Sequence, residues 1–240
     1  MAAYNACIRE LLQEIDVHGK ADRHMKILTL ERESSLGTAG TLWDQEQCTQ
    51  FCSKDALREA AKEEEMKIPW KEVHEGLPVP EDQYQERFWR RRLDGIGIGL
   101  DTVNRELLAI EFKRTQDTRS NYVEKATAVA KAQYSSLLAG LRSVGQVKGW
   151  QTQHIVFVGW AFGSVHVESF NKNMKALGVL DSKWNLIRQK SVKRLLEEQD
   201  KVLLSYFAQK GGTRGQRGKG THGKGREATG ACQVGHVRVK

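Results

Sequence analysis

Residues 92–113 read RLDGIGIGLDTVNRELLAIEFK, and this segment is more informative about the fold than any other part of the chain. Glycine occupies every second position from 95 to 99, and aromatic residues precede this stretch at 84, 88 and 89. The pattern predicts one bent strand, or two short ones, over 84–100. The motif LLAIEFK at 107–113 predicts a strand that is buried on most of both faces. A turn at 101–105 would join the two into a hairpin, so the segment predicts the centre of a sheet.

Charged residues gather at the open end of this predicted hairpin. Side chains alternate between the faces of a strand, so Glu111 and Lys113 share one face. Symmetry about the turn makes paired residue numbers sum to roughly 206, which places Asp94 opposite about residue 112. Two carboxylates and an ammonium group beside an apolar strand are costly unless they pair or bind a cation. The pattern therefore indicates either a salt bridge at the sheet edge or a cation site.

Mg²⁺ is the cation that this set of ligands fits. It prefers a few carboxylates together with water and phosphate oxygens, and Asp94, Glu111 and the carbonyl of Phe112 could offer the protein's share. Lys113 could then orient a water molecule, help to remove its proton or stabilise charge on a cleaved phosphate. A cation held by oxygen ligands beside such a lysine could hydrolyse a phosphodiester bond.

The remaining segments predict helices around the sheet. Residues 153–170 read as two strands joined near 161–163, and 67–82, which contain the three prolines, read as a connector. Apolar residues at helical spacing predict helices over 4–18, 42–66, 119–143 and 184–208. The order of elements predicts an α/β fold with a small mixed β-sheet flanked by helices.

Composition divides the chain into three parts. We expect an N-terminal helical extension over 1–41, a main domain over 42–208 that includes the C-terminal helix, and a basic, glycine-rich, disordered tail over 209–240. Residues 210–240 hold eight Lys and Arg against a single acid, whereas the rest of the chain holds 30 against 29. Any binding of a polyanion by the main domain must therefore come from local patches.

The whole chain has a formal net charge of +8, which favours a nucleic acid as partner, because each neutralised phosphate releases condensed counterions. Four cysteines in a chain of this length, without a signal-peptide-like apolar run, favour reduced thiols inside a cell. The basic tail could also serve import into the nucleus if the source is eukaryotic. No apolar stretch approaches the length that spans a membrane, so no membrane partner is expected.

RLDG, the turn after it and AIEFK resemble the PD-(D/E)XK superfamily of nucleases, also called restriction-endonuclease-like. The resemblance covers about residues 42–170 and is most specific within 92–134. It implies a restriction-endonuclease-like core, in which Asp94 is the motif's aspartate, Glu111 its second acid and Lys113 its lysine. Leu93 stands where the family's motif has proline.

The resemblance also implies further site residues. Many members carry another acid on the helix before the hairpin, and Glu59 or Glu63 could fill that role; we take Glu63 as the metal ligand. The alternative is that this acidic run is a solvated helix face. Some members present Gln or Tyr from the helix after the lysine, as Gln133 and Tyr134 could do here, with Gln133 in the catalytic set. A tyrosine packed in the core is the alternative.

Basic residues near the predicted site suggest where a nucleic-acid backbone would pass. Arg90 and Arg92 come just before Asp94, and alternating placement in a strand would send both to its side. Lys125 and Lys131, on the helix after the hairpin, are expected to contact phosphate or to be exposed charges. A strand edge protected by charge is the alternative for the arginines.

By this resemblance we expect an endonuclease that uses Mg²⁺ or Mn²⁺ and hydrolyses DNA, rather than RNA, through a metal-activated water. The basic tail favours a mobile-element endonuclease over the superfamily's other settings, and a homodimer is compatible with the pattern. Two alternatives remain: a catalytically inactive nucleic-acid-binding module with the same fold, and a structural or interaction protein. His154 and His166 lie in predicted strands without ligand spacing and receive no site role.

Overall fold

The structure is a computed structural model. It describes residues 2–19, 25–29, 33–48, 54–74, 77–99, 105–114, 120–159 and 165–212. The strands are β1 (Met25–Leu28), β2 (Gly95–Gly99), β3 (Glu106–Lys113) and β4 (Gln151–Val158). The helices are α1 (Ala2–His18), α2 (Leu36–Cys48), α3 (Lys54–Met66), α4 (Trp70–Val73), α5 (Tyr84–Trp89), α6 (Tyr122–Gln133), α7 (Ser135–Lys148), α8 (Val167–Ala176) and α9 (Asp181–Gly212), with a 3-10 turn over Glu81–Gln83.

The four strands form one mixed sheet in the order β1-β2-β3-β4. β1 pairs antiparallel with β2, β2 antiparallel with β3, and β3 parallel with β4. The parallel pair requires a crossover, which α6 and α7 provide. The prediction of an α/β fold with a small mixed sheet flanked by helices is confirmed.

The alternating glycines of β2 let a helix and a neighbouring side chain approach the sheet. A Cβ built on Gly95 would lie 2.9 Å from Cδ2 of Leu12, and one on Gly97 would lie 3.2 Å from Cβ of Leu108. Both distances are tighter than ordinary packing, so α1 can lie this close to the strand only because side chains are missing there. The alternate residues Ile96 and Ile98 are buried on the opposite face.

A separate apolar cluster covers each face of the sheet. On one face, side chains of α1, α8 and α9 pack on Leu108, Ile110 and Phe112 of β3. On the other, α2, α5 and α7 pack on Leu107 and Ala109. β3 is therefore buried from both sides, as its apolar sequence predicts.

The segment before Asp94 is helical and not extended, which corrects the prediction of a strand over 84–100. Tyr84–Trp89 form α5, and Phe88 is completely buried against Trp70, with ring centroids 5.7 Å apart. The aromatic residues that resemble a strand pattern are here the buried side of a short helix. The strand itself begins only at Gly95.

Two other predicted elements differ in the structure. The helix expected over 119–143 is two helices, α6 and α7, which meet at Tyr134 with φ −104° and ψ 12°. Where a second strand was expected in 153–170, the described residues show one isolated bridge, between Gly159 and Val165, followed by α8. His166 caps that helix, because its Nδ1 accepts a hydrogen bond from the Ser169 N–H at 3.2 Å.

The predicted N-terminal extension, 1–41, is joined to the main body. α1 contributes Leu11, Leu12 and Ile15 to the core, and β1 is a strand of the same sheet. The chain divides into a compact unit over Met1–Asp200 and a second over Lys201–Lys240. The predicted tail lies largely outside the described residues. Within the described ranges, no helix has the length and apolar character needed to cross a membrane.

We expect Leu12→Ala to destabilise the protein by about 2–5 kcal/mol, because Leu12 is fully buried over the glycine strand and its removal leaves a cavity. Urea unfolding followed by circular dichroism measures this. Val17→Ala on the same helix is the matched control, because Val17 is 68% exposed and its loss should cost less than about 0.5 kcal/mol. Equal, small effects of both changes would show that α1 is dispensable to the core.

Candidate active site

Asp94 directly precedes β2, at the open end of the hairpin. Gly95 pairs with Ile110, so continuing the register by one residue places Asp94 opposite Glu111, one residue from the predicted position. The Phe112 N–H donates a hydrogen bond of 2.9 Å to Oδ2 of Asp94. The carboxylate thus takes the place of a backbone acceptor just where the ladder between β2 and β3 ends.

Glu111 is an acid held inside the protein, with only 2% of its surface exposed. Its side chain forms hydrogen bonds with Asp94 and with Tyr134. Burial, followed by the negative charge of Asp94, raises its pKa from 4.5 to about 8, against the opposing effects of Tyr134 and Lys113. Without a bound cation, Glu111 therefore keeps its proton at neutral pH.

The backbone N–H and C=O groups of Phe112 also point towards Asp94. The N–H and C=O of one strand residue point towards the same neighbouring strand, as the paired exchange of bonds in antiparallel sheets requires. Because the N–H of Phe112 points to Asp94, its carbonyl points to that side too. A backbone oxygen and two carboxyl groups therefore face the same end of the hairpin.

Lys113 is held beside these acids by the helices that follow. Its Nζ donates a hydrogen bond of 2.8 Å to Oε1 of Gln133 and lies 4.9 Å from the centre of the Tyr134 ring. Burial and then the charge of Glu111 raise the pKa of Tyr134, so the phenol stays protonated and can donate to the carboxylate form of Glu111. The lysine is oriented by two side chains that follow one another in the chain.

The break between α6 and α7 explains how two consecutive residues serve one site. Neighbouring residues of a regular helix point about 100° apart. At Tyr134 the backbone leaves helical geometry, which allows Gln133 to reach Lys113 while Tyr134 reaches Glu111. The predicted involvement of both residues with the hairpin is therefore matched by their positions.

Tyr4 is a neighbour of the site that the sequence analysis missed. Its hydroxyl is buried and has no hydrogen-bond partner in the part of the chain that the structure describes. Burial, then the charge of Asp94, raises its pKa, and Glu111 acts in the same direction. In the sequence, Tyr4 is one more residue of an amphipathic helix. The available signal was its hydroxyl group, which is a polar group on the apolar side of that helix.

The predicted metal ligand Glu63 does not join the two acids. It is exposed on α3, which packs against α2 and α7. Among the residues that the structure describes, no three His, Cys, Asp or Glu side chains form a group that could hold a metal ion. Glu63 therefore does not complete a triad with Asp94 and Glu111, because α3 covers another part of the fold.

The four basic residues predicted to contact nucleic acid lie on different elements of the fold. Arg90 ends α5 and forms an exposed ion pair with Glu86, so it doesn't follow the alternation of a strand. Arg92 is exposed and its backbone bridges Ser35, outside β2. Lys125 and Lys131 are both exposed on α6. The strand argument that aimed Arg90 and Arg92 at Asp94 is wrong, although Arg92 remains next to the site in the chain.

The chain matches no family model, no curated protein and no solved structure. The arrangement of Asp94, Glu111 and Lys113 has to be interpreted from its own chemistry.

The raised pKa of Glu111 predicts how the stability of the metal-free protein changes with pH. Between about pH 4.5 and pH 8 the folded protein holds a proton on Glu111 that the unfolded chain has released. This group therefore lowers the free energy of unfolding as the pH rises through that window. We expect Glu111→Gln to remove this contribution, so that urea unfolding at several pH values gives a flatter profile.

Glu59→Gln is the control for this measurement, because it removes an exposed carboxyl from α3. It should leave the pH dependence of the wild type in place. A Glu111→Gln profile that runs parallel to the wild type across the window would mean that the carboxyl titrates at its ordinary value.

Proposed function

We propose that this protein is a metal-dependent endonuclease that hydrolyses the phosphodiester bonds of DNA. The observation that carries the proposal is the meeting of Asp94, Glu111 and Lys113 at the open end of the β2–β3 hairpin. Ionising both acids at neutral pH is costly, because Glu111 is buried and the two negative charges repel each other. A cation bound between them would displace the proton of Glu111 and offset that repulsion.

The donors suit a hard divalent cation. Two carboxyl groups and the Phe112 carbonyl are oxygen ligands, which Mg²⁺ and Mn²⁺ accept together with water and phosphate oxygens. Asp94, Glu111 and Phe112 would hold the ion, which when bound would screen phosphate charge and make a coordinated water more acidic. Glu63 is not part of this proposal.

Lys113 supplies what the acids cannot. Its ammonium group is a positive charge that could contact a phosphate oxygen or orient the attacking water. Gln133 is a positioning residue, because it accepts a hydrogen bond from Lys113 and so restricts the directions in which Nζ can point. Tyr134 does the same for Glu111.

The order of the elements supports the proposal. A hairpin carries both acids and the lysine, a helix follows the lysine, and a strand parallel to β3 completes the sheet. This order is compatible with the restriction-endonuclease-like core that the motif implies. DNA as the substrate, assembly as a homodimer, a nuclear location and a role in a mobile element are parts of the same proposal.

Activity gives the first test. We expect wild-type protein to nick supercoiled plasmid in the presence of Mg²⁺ or Mn²⁺, and a chelator to stop it. Lys113→Ala should lower the rate by about a hundredfold or more, because a charge at the reacting phosphate is lost. Lys175→Ala, which removes an exposed lysine of α8, is the matched control and should cut as the wild type does.

Two outcomes would contradict the nuclease proposal. If the wild type binds DNA but produces no metal-dependent product, the chain is a binding module that retains the charged hairpin. If cutting persists unchanged in Lys113→Ala, the activity belongs to a contaminant or to another site.

Metal binding can be measured without activity. Calorimetric titration with Mn²⁺ should show a site whose affinity rises with pH up to about pH 8, because Glu111 must lose its proton to bind the ion. Asp94→Asn and Glu111→Gln should each weaken binding by about tenfold or more. Glu59→Gln should bind as the wild type does, and identical isotherms for all four proteins would exclude the hairpin as the metal site.

A further inference from the structure

A cavity that takes no part in the chemistry proposed above lies next to the candidate active site. It has a volume of about 530 Å³, is open to solvent on one side and is lined by α6, β4 and the first turns of α8. This volume is within the range of sites that bind small organic ligands. Its lining includes Lys131, His154, Val156, His166, Ser169 and Lys172.

His154 lines this cavity, and its imidazole carries two unsatisfied polar atoms. Both ring nitrogens are buried, and neither has a hydrogen-bond partner in the residues that the structure describes. Burial, helped by the charges of Lys131 and Lys113, lowers its pKa, so the ring is neutral at pH 7 and offers one donor and one acceptor. Leaving both unpaired is costly, which favours a ligand that carries an acceptor and a donor of its own.

The other walls add charge and a further donor. Lys131 comes from α6 and Lys172 from α8, and both are at the cavity. The Nδ1 atom of His166 accepts a hydrogen bond from Ser169, so the proton of the neutral ring is on Nε2. Glu124 and Glu168 also line the cavity and balance the lysines, which means that the site does not simply collect anions.

The position of the cavity connects it to the metal ligands. His154 pairs with Ala109 and Val156 with Glu111 across the parallel β3–β4 ladder, so His154 lies on the Glu111 face of the sheet. The His154 and Tyr134 rings are 6.2 Å apart. Since Tyr134 also contacts Glu111 and Lys113, one side chain separates the cavity from the proposed reaction site.

We infer that this cavity holds one unpaired nucleotide of the substrate strand, next to the phosphodiester bond to be cut. A nucleotide has the groups that these residues could contact. Its base edge offers donors and acceptors to His154 and His166, a face of the base can pack on Val156, and its phosphate can pair with Lys131 or Lys172. The inference rests on the proposed nuclease function, because it assigns the cavity a part of the same substrate.

The nucleotide must be unpaired because a paired base could not reach the cavity. A base within a duplex is stacked and paired, so it reaches a side cavity only after leaving the helix, at a cost that is smallest for mismatched or single-stranded positions. The protein is therefore expected to favour single strands, flaps or mismatches over continuous duplex.

Binding without a divalent metal tests this inference independently of cleavage. Fluorescence anisotropy of a labelled oligothymidylate, in EDTA and at fixed low salt, should give tighter binding than the same strand in a blunt duplex. His154→Phe, which keeps a ring but removes both nitrogens, and Lys172→Ala should each weaken single-strand binding by about tenfold. Lys175→Ala is the control, because it removes an equal charge from the same helix outside the cavity.

The outcomes separate the two proposals. If all four proteins bind the single strand equally, the cavity does not hold a nucleotide, whether or not plasmid is cut. If His154→Phe and Lys172→Ala lose binding but the wild type cuts nothing, the cavity holds a nucleotide of a bound strand, whereas the nuclease function and the position beside a cut bond are overturned. If free thymidine monophosphate competes as strongly as the oligonucleotide, the ligand is a free nucleotide and the strand assignment is overturned. Lys172→Ala decides the matter if His154→Phe doesn't fold, because Lys172 is exposed.

Discussion

The hydrogen bond from the Phe112 N–H to Asp94 is the contact on which the geometry of the site depends. It replaces a backbone pairing at the point where β2 and β3 separate, so the hairpin ends in a carboxylate instead of in another pair of residues. That bond sets where Asp94 lies relative to Glu111, whose pKa is raised by burial and then by the negative charge of Asp94. The direction of the Phe112 carbonyl and the nearness of the two acids follow from this interruption of the ladder, whereas the helices after β3 orient Lys113.

The cost of keeping Glu111 inside is met by the apolar packing around β3. Both faces of that strand are covered, one by α1, α8 and α9 and the other by α2, α5 and α7. Burial of this kind stabilises a domain by far more than one protonated acid destabilises it. The glycines of β2 are part of the arrangement, since they admit α1 to the sheet.

The hairpin was predictable because its determinants are local. The alternation of faces, the apolar run and the symmetry of a turn located Asp94 within one residue of its place opposite Glu111. The helix at 84–89 was not, because Phe88 and Trp89 suit a strand as well as a buried helix face, and only contact with Trp70 distinguishes them. β1 was missed because four residues, MKIL, carry too little pattern, and their strand conformation depends on β2.

Long-range contacts limited the site prediction in the same way. Glu63 and Glu59 were chosen from the acidity of one helix, yet the place of α3 is decided by its packing on α2 and α7. Tyr4 and His154 reach the region of Glu111 only through the folding of α1 and β4, and neither has a motif around it. Spacing along a chain can locate partners within a hairpin, but not partners brought in by other elements.

The junction at Tyr134 has a mechanical consequence. α6 lines the cavity through Lys131 and ends with Gln133, while the next residue holds Glu111. A rotation of α6 about this junction would therefore move one wall of the cavity and the partner of Lys113 together. Occupancy of the cavity and the state of the acid pair would then be thermodynamically coupled, and by reciprocity each would change the affinity of the other by the same factor.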